Sequence, residues 1–205
     1  MDSRIDNLLI MLEDCPPEDE EINDRLDQFA NTVIGVSISS GETRYAVIFK
    51  VLDFVLKIPR YGYCDEDYCE TELYNYEVAK RYRVEKVLLP IEYYYTTSSG
   101  IVIYKQPKYS FSTSEGEYNK NYRIYLAKRN TPIKANVVKR IVSNCYDGYR
   151  IDNRWMARVL QLYGKKFCRS FEAWSQECHV NDLHNSNTGW LDNKPIILDY
   201  GGFRG

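Results

Sequence analysis

No stretch of the 205-residue sequence approaches the ~18 consecutive apolar residues of a membrane span, so no membrane association is expected. Charge of one sign is missing too. Lys and Arg number 27 against 29 Asp and Glu, and a formal net charge of -2 gives no basic field for nucleic acid. Histidine is scarce, with only His179 and His184. With Cys178 they form a Cys-His-x4-His spacing that matches no usual zinc site. The opening MDSRIDNLLIMLEDC lacks the basic flank and cleavage site of a signal peptide, and a cytoplasmic location is expected. The six cysteines are scattered through a chain long enough to bury a core without staples, so free thiols are expected rather than disulfides. Tyrosine is abundant, at 19 residues, which suits half-buried strands.

Residues 1–30 read as two helices. Ile5, Leu8, Leu9 and Leu12 recur at helical spacing, with Ser3 as N-cap, and Cys15-Pro16-Pro17 ends the run. Ile22, Leu26 and Phe29 mark a second apolar face. Residues 31–58 read as three strands, broken at Ser40-Gly41-Glu42 and near Asp53. Cys69 to Val84 reads as a helix with an acidic first turn. Two further strands are joined at Ser98-Ser99-Gly100, which gives an α+β chain with five strands and one helix inserted after the third. Residues 108–130 read as a polar loop. Three helices follow, one from Pro132, one over Trp155–Tyr163 closed by Gly164, and one over Phe167–Cys178.

The most specific stretch comes last. Asp182-Leu183-His184-x-x-Asn187-x-Gly189 is followed by a short hairpin and then Ile196-Ile197-Leu198-Asp199-Tyr200-Gly201. Asp182, Asn187 and Asp199 are spaced as in the catalytic and metal loops of a phosphoryl-transfer enzyme. The set resembles the protein-kinase-like superfamily, and more closely the reduced serine/threonine kinase-like proteins of bacteriophages and prophages.

The resemblance covers about residues 31–205. It implies a two-lobed fold: an N-terminal helical extension (1–30), a five-stranded antiparallel N-lobe with one helix (31–106) and a truncated helical C-lobe (107–205). It implies ATP and Mg2+ as cofactors. Gly35, Ser37 and Gly41 stand where the glycine-rich loop would approach the phosphates, with serines at Ser37 and Ser40 where glycine is usual. Lys57, which ends the Phe54-Val55-Leu56-Lys57 strand, is the phosphate lysine, with Lys50 as its rival. Its helix partner is Glu72, with Glu70 and Glu77 as alternatives. Tyr104–Pro107 form the hinge, where backbone groups of Lys105 and Gln106 meet adenine. Asp182 orients the attacking hydroxyl, while Asn187 and Asp199 hold the metal. Val180 and Asn181 depart from the His-Arg that precedes this Asp in many protein kinases. The chain stops at Gly205, so no activation segment or later C-lobe helices are expected.

The function so implied is phosphorylation of serine or threonine on a protein, in the host cytoplasm if the chain is phage-encoded. One alternative is a pseudokinase that binds nucleotide or inhibits a partner protein. A second is a small-molecule kinase, which usually needs a large helical C-terminal part.

Overall fold

The computed structural model describes residues 2–62, 67–108, 153–180, 187–191 and 194–201. It is an α+β structure in which the described residues form a five-stranded antiparallel sheet, a two-stranded hairpin and four helices. The chain divides into two compact units, Met1–Tyr74 with Pro90–Tyr109 and Asn75–Leu89 with Ser110–Gly205. The first therefore includes the N-terminal helices, and residues 75–89 group with the C-terminal part.

The first unit begins with α1 (Ser3–Glu13) and α2 (Asp19–Thr32). Asp2, not Ser3, caps α1: its carboxylate accepts the Arg4 N–H at 3.0 Å and pairs with the Arg4 guanidinium. Asn31 and Thr32, read from sequence as strand, complete α2 instead. The sheet comprises β1 (Val36–Ser40), β2 (Arg44–Phe49), β3 (Phe54–Pro59), β4 (Glu92–Thr96) and β5 (Val102–Pro107), in the order β1-β2-β3-β5-β4.

Alternation along the strands separates two chemistries. On one face Tyr45, Val47, Phe49, Leu56, Ile58 and Ile103 form a core with Ile5, Leu8, Leu12, Ile22, Leu26 and Phe29 of the two helices. Each such side chain contributes about 1.5–3 kcal/mol by leaving water. The register Ser39–Ala46–Lys57–Tyr104 puts those four residues on the opposite face, with Arg44 and Gln106. Asp19 at the start of α2 ties that helix to the sheet, accepting a forked pair from Arg60 at 2.6 and 3.0 Å and the Tyr45 hydroxyl at 2.8 Å.

Helix α3 (Tyr68–Tyr82) contributes its first half to the first unit and its second half to the second. The second unit continues through a 3-10 turn (Glu85–Val87), α4 (Asn153–Glu177) and the hairpin β6 (Thr188–Leu191) and β7 (Lys194–Ile197). The two helices expected on either side of Gly164 are both present within this span, which breaks at Gly164 (φ 81°, ψ 173°). The helix expected from Pro132 lies outside the described residues. Trp155 and Phe171, on either side of the Gly164 break, pack with ring centroids 6.2 Å apart, and Trp174 lies 5.5 Å from Phe171. Strand β7 is pinned from outside the hairpin, where the Leu89 N–H donates to the Ile197 carbonyl at 2.8 Å. The four described cysteines, Cys15, Cys69, Cys168 and Cys178, are buried thiols. No helix among the described residues is long and apolar enough to cross a membrane.

Candidate functional site

Lys57 lies in the middle of three paired strands, level with Ala46 on β2 and Tyr104 on β5. A lysine there faces the interior, and burial of its charge requires a partner. Glu72 provides it. The Lys57 Nζ is 2.9 Å from Glu72 Oε2, and the side chains are 9% and 0% exposed. The alternatives left open by the sequence face elsewhere: Glu70 is exposed, and Glu77 pairs with Lys80 on the helix surface. Lys50, the rival lysine, is exposed in the turn after β2.

The start of α3 fixes Glu72 over the sheet. Asp67 Oδ1 accepts the N–H groups of Cys69 and Glu70 at 2.8 and 3.0 Å, which caps the helix. Its Oδ2 accepts the Tyr104 hydroxyl at 2.9 Å, which ties the cap to β5. Burial, and then the Asp67 charge, raise the Tyr104 phenol above its ordinary value. Glu72 follows one and a half helical turns after Asp67, facing the polar side of the sheet. Arg44 Nη1 also reaches Glu72 Oε2, at 2.5 Å, and Gln106 Nε2 reaches Oε1 at 3.2 Å. Burial pushes the neighbouring Cys69 thiol up to about 12, so it stays protonated at neutral pH.

Sequence reasoning missed Asp67, Arg44 and the Gln106 side chain. Asp67 had a legible signal, an aspartate just before an apolar-striped helix. Arg44 also had one, because period-2 alternation puts it on the Lys57 face.

Two expectations for nucleotide-contacting residues need correction. Tyr104–Pro107 do not form a hinge after β5; they are its last four residues, paired with β3. The side chain of Lys105 lies 3.0 Å from Glu92, and Gln106 uses its side chain on Glu72. A run of alternating residues that ends in Pro satisfies its backbone in the sheet before leaving it. The glycine loop also differs. Gly41 lies at the tip of the β1–β2 hairpin, where its N–H donates to the Arg44 carbonyl at 2.9 Å. Gly35 (φ 81°) is at the other end of β1, and its carbonyl accepts the Lys50 N–H at 2.7 Å. At ~3.3 Å per residue the two are roughly 20 Å apart, and no single turn holds both. Ser37 is exposed within β1, on the face that carries Lys57.

The second unit holds the other candidate residues. Thr188 pairs with Ile197, and the Leu198 N–H donates to the Asn187 carbonyl at 2.8 Å. Asn187 and Asp199 thus stand at the same open end of the hairpin. Asp199 Oδ1 accepts the Gly201 N–H at 3.3 Å. Tyr200 is fixed on both sides: its hydroxyl donates to the Leu89 carbonyl at 2.6 Å, and its own carbonyl accepts Asn75 Nδ2 at 2.8 Å. Trp174 Nε1 donates to the Asn75 carbonyl at 2.9 Å, and Trp155 Nε1 to the Gly189 carbonyl at 3.2 Å. Asp182 and His184 lie outside the described residues. Among the described residues, no three His, Cys, Asp or Glu side chains gather as a metal-binding cluster. Asn187 and Asp199 offer a smaller set of hard oxygen donors.

No protein-family model, curated protein or solved structure matches the chain.

Proposed function

We propose that this chain is an ATP- and Mg2+-dependent phosphotransferase of two-lobed, kinase-like architecture that phosphorylates serine or threonine of a protein. The buried Lys57–Glu72 pair carries the reading. A buried ion pair adds little stability over a well-packed apolar pair, so its presence on a sheet face points to work for the charge. The ammonium has three donors, and among the described residues Glu72 is its acceptor at 2.9 Å. A phosphate oxygen suits the remaining donors.

In this reading Lys57 binds and orients the nucleotide phosphates, and Glu72 holds Lys57 in place. Asn187 and Asp199 suit Mg2+, because amide and carboxylate oxygens are the hard donors it prefers. Bound there, Mg2+ supplies charge neutralisation at the phosphates. Asp182 accepts or orients the proton of the attacking hydroxyl. Ser37 and Gly41 border the phosphates from the β1–β2 hairpin. The hairpin has one glycine at its tip, and that observation favours the second reading, a nucleotide-binding pseudokinase that acts on a partner protein.

Incubation with γ-labelled ATP, Mg2+ and a protein mixture tests the proposal. Label on phosphoserine or phosphothreonine is the expected result. Nucleotide binding without transfer of label moves the chain to the pseudokinase reading.

A further inference from the structure

Glu72 collects more positive charge than one lysine supplies. Its Oε2 accepts Lys57 Nζ at 2.9 Å and Arg44 Nη1 at 2.5 Å, and its Oε1 accepts Gln106 Nε2 at 3.2 Å. Glu72 is fully buried, and the Arg44 side chain is 10% exposed. Phosphate binding by Lys57 gives Arg44 no role of its own. The two cations also differ. The lysine ammonium is a compact charge on a flexible stem, while the guanidinium is a planar fork that prefers fixed geometry.

This difference matters when a ligand arrives. If Lys57 alone compensated Glu72, movement of the ammonium toward a phosphate would strip a carboxylate in a dry interior. An uncompensated buried charge of that kind is strongly destabilising. With Arg44 on the same oxygen and Gln106 on the other, Lys57 can turn away while Glu72 stays compensated.

We propose that Arg44 is a positioning residue, which with Gln106 retains Glu72 so that Lys57 is the movable cation available to a nucleoside triphosphate. The proposal rests on the reading of Lys57 as the phosphate-binding lysine. Arg44 touches no phosphate in this account. Its effect on nucleotide binding passes through the Glu72 charge.

That dependence sets the test. Mg-ATP affinity is measured by calorimetry on the full chain as wild type, Arg44→Met, Glu72→Gln and the double variant. Arg44→Met is expected to weaken binding by about ten-fold or more, a coupling of ordinary size for contacting charges. In the Glu72→Gln background, Arg44→Met is expected to change affinity by less than about two-fold, because no charge remains to retain. An equal loss in both backgrounds overturns the proposal, since Arg44 would then act on the ligand or on the fold at large. A wild type that binds no Mg-ATP removes the phosphotransferase reading. The retention of Glu72 is still decided by thermal midpoints. Lys57→Met should stay within about 4 °C of wild type when Arg44 is present, and fall by more than the sum of the single changes when Arg44 is Met. If Arg44→Met alone does not fold, Arg44→Gln, which keeps a donor and removes the charge, takes its place in the comparison. Lys57→Met as damaging as the Arg44 change overturns the proposal.

Discussion

Lys57 and Glu72 face each other at 2.9 Å in a site that excludes most water, and the lysine depends on the carboxylate. Replacement of Lys57 by Ala leaves Glu72 with Arg44 and Gln106, so the fold should survive. Mg-ATP affinity should fall by about ten-fold or more, as for loss of a charge-assisted contact to phosphate. Unchanged affinity in calorimetry would transfer the phosphate role to Lys50 or remove it. Asp19 supports a second expectation at this scale. Hydrogen bonds from Arg60, its largest influence, hold its carboxyl below the ordinary 3.8. A depressed carboxyl contributes stability that is complete above its unfolded value and lost as pH falls through the folded one. Denaturant midpoints should therefore drop below about pH 4. Asp19→Asn should cost about 1 kcal/mol at pH 7 and flatten that acid dependence. An unchanged acid slope in Asp19→Asn would assign the dependence to other carboxylates.

Among the elements, α2 and the β6–β7 hairpin show how sequence becomes position. Leu26 is fully buried between α2 and the sheet. Leu26→Ala should cost about 2–5 kcal/mol in denaturant unfolding, and a loss under 1 kcal/mol would mean that α2 packs only loosely. In the second unit Tyr200 anchors the chain next to Asp199 through its hydroxyl on Leu89. Tyr200→Phe keeps the ring contact with Trp174 and loses the bond to Leu89. About 0.5–1.5 kcal/mol should go with it. The same elements show what the sequence disclosed. The strand breaks at Ser40–Glu42 and Asp53 were legible because turn residues interrupt β-branched runs. Glu72 was legible only as one of three glutamates, favoured over Glu70 and Glu77 by the stripe Leu73, Tyr76 and Ala79 that follows it. The end of β5 was not, since a strand residue and a hinge residue differ in backbone partners, which side-chain chemistry does not encode. Gly35 misled for a related reason: glycine marks a positive φ without saying which turn needs it.

At the scale of the whole molecule, two compact units each hold part of the proposed chemistry, Lys57 and Glu72 in one and Asn187 and Asp199 in the other. The five-stranded α+β organisation could be read from period and punctuation, because both report local backbone choices. The polar cluster around Glu72 could be read only in part, because Arg44 in a strand looks the same whether it meets solvent or a buried carboxylate 28 residues away. In the proposed function, the residue that sets phosphoryl transfer apart from nucleotide binding is Asp182. The decisive measurement is the rate of label transfer from γ-labelled Mg-ATP, wild type against Asp182→Ala, at matched nucleotide occupancy. The account predicts a fall of roughly 10²–10⁴-fold in transfer with nucleotide affinity nearly unchanged. Equal transfer by the two proteins, or none by the wild type, would contradict it.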